Sequence, residues 1–210
     1  MLWERFKLNK IDSIFIGLVI GPVFPILLFL SGWWGSLSFV ADNRVFIIAF
    51  VGLGIGLGIE VIYLRAWIRY FYDTSIPKVF PIYMFYTICV FGFFMGVPIF
   101  NLIPGTIAGI YIGRRLRYFK IEGQKHLTTI EKTSKLTATT MLFVSTASAY
   151  FALSDPFTAG NLQGMLRLPF KVTEQMIIEL IVFGGMALVV LQYWLTKKAA
   201  IFAYRHCELK

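Results

Sequence analysis

Three residues with ionisable or amide side chains stand isolated in long apolar runs: Glu60, Asn101 and Glu179. At membrane depth such a group is costly unless it meets water, a charge partner or a backbone group, which makes it a candidate for a binding site. Glu60 closes the run Gly52-Leu-Gly-Ile-Gly-Leu-Gly-Ile-Glu60 and precedes Arg65. Its expected outlets are an ion pair with a basic residue of another helix, snorkelling to water, or a local pairing with Arg65. Asn101 precedes Leu-Ile-Pro104-Gly and suits the N-cap of a helix, where its side chain would satisfy a backbone N–H. Glu179 lies about one turn inside the outer end of its span, where a hydrated vestibule or a lipid headgroup would meet it. These three are the candidate substrate-binding residues.

Catalytic chemistry is not expected. Glu60 and Glu179 fall at opposite ends of their spans and cannot converge as an acid–base pair. There is no Gly-x-Ser-x-Gly, His-Glu-x-x-His, P-loop or Cys-x-x-Cys pattern. His126 and His206, in a basic loop and in the tail, are expected to face solvent. Cys89 and Cys207 have no ligand spacing, so neither a metal site nor a cofactor is expected. The chain is not read as an enzyme.

The elements that must hold these residues are membrane helices. The 210 residues are 58% hydrophobic and 15% charged, whereas soluble chains average roughly 25% charged. Apolar blocks near the ~20 residues needed to cross a bilayer recur along the chain. They divide into six spans at about 11–32, 45–64, 80–96, 102–115, 136–153 and 175–195, an all-α integral membrane protein forming a single polytopic domain. Pro22 and Pro25 interrupt the first run, which is too long for a signal peptide and reads as a retained span. Asp12 and Ser13 suit its N-cap. Residues 80–113 form an almost unbroken apolar block, divided by a turn at Val97-Pro98-Ile-Phe-Asn101. Residues 114–135 read as a basic loop, and residues 155–173 as a link.

Charge sets the orientation. With six spans and both termini cytoplasmic, seventeen of the twenty Lys and Arg residues lie inside, leaving Arg44, Arg167 and Lys171 outside. This is the positive-inside bias. Fusing spans three and four into one helix would move the seven basic residues of the loop outside. The net charge of +9 is therefore topological, with possible contact to anionic headgroups, and no nucleic acid partner is expected.

Glycines supply the packing signal. Gly105, Gly109 and Gly113 repeat at four-residue spacing, as do Gly52 and Gly56, which lets helix backbones approach closely in lipid. Spans two and four are parallel in this topology, so the two glycine faces are expected to meet. That contact would place Glu60 in an interhelical ion pair with Arg114 or Arg117. Span five is rich in hydroxyl residues, suited to helix packing or to a polar path. In size and span count the chain resembles the small substrate-binding membrane subunits of vitamin and metal-ion importers, and no residue role follows from that. The expectation is a multi-pass protein of the inner or plasma membrane, a transporter or the membrane subunit of a transport system for a small solute. Its partners would be the lipid bilayer and another membrane or cytoplasmic subunit docking on the basic loop. A non-catalytic scaffold or assembly factor is the alternative, and an intramembrane lipid-modifying enzyme the third reading.

Overall fold

Residues 8–206 are described by a computed structural model, and Arg5, Lys7, Cys207 and Lys210 lie outside the described residues. Every regular element among them is helical: α1 (Lys10–Ile20), α2 (Val23–Ser36), α3 (Asp42–Tyr70), α4 (Ile76–Phe93), α5 (Leu102–Tyr118), α6 (Gly123–Ser154), α7 (Thr158–Leu166), α8 (Glu174–Glu179) and α9 (Gly185–His206). A 3-10 turn, Pro98–Asn101, leads into α5, and a π turn, Leu180–Gly184, joins α8 to α9. Five stretches are long and apolar enough to cross a membrane: Lys10–Ser36, Asn43–Tyr70, Ile76–Phe93, Gly123–Ser154 and Glu174–His206. Their outward faces carry large apolar side chains such as Ile55, Val61, Phe143 and Phe183, as expected where lipid is the solvent. The helix expected to be the fourth span, α5, is not one of the five. Its 17 residues extend about 25 Å, short of the roughly 30 Å apolar core of a bilayer.

By contact the chain divides into two units, with the boundary at Ile82 and Tyr83 inside α4. In the first, α1 and α2 form one helix broken at Gly21-Pro22. Proline removes a backbone donor and its ring clashes with the preceding turn, so a break is expected there. The five residues between α2 and α3 are few enough to turn the chain back as an antiparallel neighbour. The register is legible in the contacts. Gly32 lies against Ala49, Gly52 against Leu28, Gly56 against Pro25, and Gly21 against Glu60. Along α3 the buried positions Val45, Ala49, Gly56 and Glu60 form one stripe on this seam. Asn9, rather than Asp12 or Ser13, caps α1, its side chain accepting from the Asp12 N–H. Asp12 is only 2% exposed and accepts a hydrogen bond from Tyr72 Oη at 2.9 Å. Being inside the first turn frees its carboxylate to face the protein.

In the second unit α5 lies parallel to α9, with Gly105, Gly109 and Gly113 against Gln192, Thr196 and Ala200 in turn. α6 packs antiparallel to α9, where Thr137 meets Thr196 and Ser145 meets Gly185. The basic stretch 114–135 is a loop only at residues 119–122, because its first residues finish α5 and its last ones open α6. Gln124, Lys125, Glu131 and Lys132 are good helix formers. The Glu131–Lys135 pair at 3.5 Å adds support one turn apart, so the helix continues past its apolar part. Residues 155–173 contain α7, which ends on Arg167 in the left-handed region at φ 49°.

Candidate functional site

The first unit holds Glu60. Gly52 and Gly56 bring α3 so close to α2 that a Cβ at Gly56 would lie 2.6 Å from Pro25 Cα. This contact corrects the expected pairing of the Gly52–Gly56 face with the Gly105–Gly113 face, because each is filled by a helix of its own unit. The short α2–α3 connection supplies the partner of the first, and α9 supplies that of the second. Glu60 ends the tight seam and is 7% exposed. Neither of its carboxylate oxygens has a hydrogen-bond partner, and Arg114 and Arg117, expected as its partners, belong to the second unit. The Arg117 guanidinium instead lies over the Tyr204 ring, 5.7 Å from its centroid.

The second unit holds a polar seam within an apolar bundle. Thr196 is fully buried and Gln192 is 1% exposed. Thr196 Oγ1 accepts from Gln192 Nε2 at 2.9 Å, donates to the Gly105 carbonyl at 3.1 Å and meets Thr137 Oγ1 at 2.9 Å. Each hydroxyl has one hydrogen, and Thr137 Oγ1 also lies in donating reach of the Ser134 carbonyl at 3.1 Å, so the two threonines share two hydrogens among three contacts. Gly105 permits this because a Cβ there would collide with the Gln192 amide. Sequence reasoning missed Gln192 and Thr196. Their four-residue spacing inside the last apolar run, matching that of Gly105 and Gly109, was the available signal.

Beyond that seam lies a cavity of about 850 Å³. Its origin is the length of α5. Parallel packing sets the start of α5 beside the middle of α9, so the preceding part of the α8–α9 stretch has no α5 alongside it. Met95–Ile99, α6, α7 and the π turn surround the remaining space. The lining is chiefly apolar, with Ser145, Ser148, Asp155 and Thr158 as polar members. Ser145 Oγ is buried without a hydrogen-bond partner. Leu180, Ile181 and Gly184 of the π turn face the same space, and π turns inside helices recur at functional sites. The span-five hydroxyls thus divide. Thr140 and Thr146 bond back to carbonyls one turn earlier, whereas Ser145 and Ser148 line the cavity.

Asn101 is 4% exposed and makes no side-chain cap. Its Nδ2 donates to the Thr87 carbonyl of α4 at 2.8 Å, and its Oδ1 is buried without a partner. The 3-10 turn explains the change of role, since it places Asn101 inside a helical turn where the side chain cannot reach back over the first N–H groups. Glu179 is exposed at the end of α8 and accepts from Gln175 Nε2 at 3.0 Å. Asn101 and Glu179 therefore do not share one site, and Glu60 belongs to the first unit. His126, expected to face solvent, is partly covered, with its ring 4.0 Å from that of Tyr204, while His206 is exposed.

Glu131 ties α6 to α9 at the polar end of the unit, accepting from Tyr193 Oη at 2.8 Å and Lys197 Nζ at 3.1 Å. The group is partly exposed, so Glu131→Ala is expected to lower stability only slightly. Thermal unfolding in low and high salt checks this, with the difference between variant and wild type shrinking at high salt. No grouping of His, Cys, Asp and Glu able to hold a metal ion occurs among the described residues. Comparison with protein-family models, curated proteins and solved structures found no match.

Proposed function

We propose that this chain is a small multi-pass transport protein, or the membrane subunit of a transport system, that holds a small, largely apolar solute in the cavity between α6, α7 and α9. The observation that carries this reading is the cavity itself, about 850 Å³ with a mainly apolar lining and four polar residues. Its size and composition are those of small-molecule sites, in which a few polar groups orient an otherwise apolar ligand. The unpartnered Ser145 hydroxyl is the group best suited to that role. The accompanying topology has six crossings and cytoplasmic termini in the inner or plasma membrane, with α5 and the turn before it making the fourth crossing. The parallel run of α5 and α9 agrees with it, because the fourth and sixth crossings then have the same direction. The basic residues around the α5–α6 connection would face the cytoplasm as the surface for a partner subunit or anionic lipid.

Native mass spectrometry of the gently purified protein tests this reading. Wild type is expected to retain a small non-protein mass, and Ala149→Trp, which fills the cavity, is expected to lose it while remaining folded. A wild type free of bound mass, or equal retention by the variant, would overturn it. Recovery of a stoichiometric protein partner with no bound small molecule would favour the scaffold reading.

A further inference from the structure

A buried carboxyl group whose oxygens have no hydrogen-bond partner is costly in its charged form. Glu60 is such a group. The Cβ position of Gly21 lies 3.3 Å from its Oε1, which fixes the carboxyl beside the break between α1 and α2. Sequence makes that break rich in acceptors. In a helix Pro22 removes the donor for the Leu18 carbonyl, and Pro25 removes the donor for the Gly21 carbonyl. The helical donors for these two carbonyls are thus missing beside a carboxyl whose own oxygens have no hydrogen-bond partner. On the helices packed against α3, charged groups are scarce. α1 carries Lys10 and Asp12 in its first turn, with Asp12 held by Tyr72, and α2 carries none. On α3 the next charged residue is Arg65, which is exposed.

A bare carboxylate in this position would bear a desolvation cost of several kcal/mol with nothing to offset it. A carboxylic acid avoids that cost and supplies the one hydrogen that the freed carbonyls lack. We propose that Glu60 is a proton-binding site, occupied at neutral pH, whose acid O–H donates to the main-chain carbonyl freed at Gly21 by Pro25. Protonation of the carboxylate gives the acid and one O–H···O=C hydrogen bond, and no other bond changes. Loss of the proton leaves a buried charge that must draw in water by opening the α2–α3 seam. This inference does not depend on the cavity of the second unit, and either can fail alone.

Infrared spectroscopy of the full chain in lipid nanodiscs at neutral pH tests it. Wild type is expected to show a carboxylic-acid C=O stretch that shifts in heavy water, is absent in Glu60→Gln and persists in Glu179→Gln. An unchanged band in Glu60→Gln, or no band in wild type, would overturn the proposal. So would loss of the band on adding sodium chloride, which would make the occupant a metal cation. Should Glu60→Gln fail to fold, wild type labelled with carboxyl-¹³C glutamate keeps the question open to measurement. A labelled acid signal is expected at neutral pH. Complete ionisation of the labelled glutamates at neutral pH would overturn it.

Discussion

Gly109→Leu is expected to abolish recovery of folded protein, whereas Gly54→Ala leaves it intact. A Cβ at Gly109 would lie 2.5 Å from the Thr196 carbonyl oxygen and 3.2 Å from its Cα. Both are backbone atoms of α9, which cannot swing aside like the tip of a side chain. The helices would have to separate, and the neighbouring contacts at Gly105 and Gly113 would open with them. Gly109→Ala alone should cost about 1–3 kcal/mol, the usual penalty for overpacking. At roughly 2–4 °C per kcal/mol for a chain of this size, that is a fall in Tm of several degrees. Leucine adds three further carbons, for which the seam has no space. Gly54 has no atom within 4 Å of its Cβ position, so alanine there is expected to be neutral or to raise Tm, since it favours helix by up to about 1 kcal/mol. Size-exclusion profiles and thermal unfolding in detergent distinguish the cases. Equal behaviour of the two alanine variants would show that close α5–α9 packing does not hold the second unit together.

Thr196→Val should be destabilising although it adds no atoms to the bundle. It replaces a hydroxyl by a methyl of similar size, so any effect reports hydrogen bonding. Two magnitudes compete. Interhelical hydrogen bonds in membranes average only about 0.6 kcal/mol, whereas a buried polar group left unpaired costs roughly 1–3 kcal/mol. The second prevails here because Gln192, 1% exposed and with Oε1 already lacking a partner, would also lose the acceptor for its Nε2. A loss of about 2 kcal/mol is expected, with Thr196→Ser close to wild type. The double variant Gln192→Leu/Thr196→Val should be more stable than Thr196→Val, because removing the amide removes the orphaned donor as well. Thermal unfolding of the four proteins measures this directly, and a Thr196→Val variant with unchanged Tm would show that the network contributes nothing.

Local sequence determined a good deal. Runs of apolar residues at near-spanning length dictate helices in a bilayer, because no other open structure satisfies its own backbone there. The prolines at positions 22 and 25 mark the break between α1 and α2. Four-residue spacing of glycine identifies faces built for close contact, and the isolation of Glu60 marks it as a residue needing an explanation. All of these properties reside in a single helix and its solvent.

Partnership was not legible in the same way. A glycine face specifies that something must approach closely and leaves open which helix it is. Gly52 and Gly56 met α2 because a short connection folded α3 back on it, and Gly105–Gly113 met α9 from far along the chain. That choice left the Glu60 carboxyl against the α1–α2 break. It also made Gln192 and Thr196, which look unremarkable in sequence, the polar centre of the second unit. The cavity is more clearly a tertiary product. It arises because α5 is shorter than α6 and than the α8–α9 stretch and starts beside the middle of α9, a depth set by the register of three glycines against Gln192, Thr196 and Ala200. Helix formation follows from local composition, whereas register and enclosed volume depend on how whole surfaces fit, and no local pattern encodes that fit.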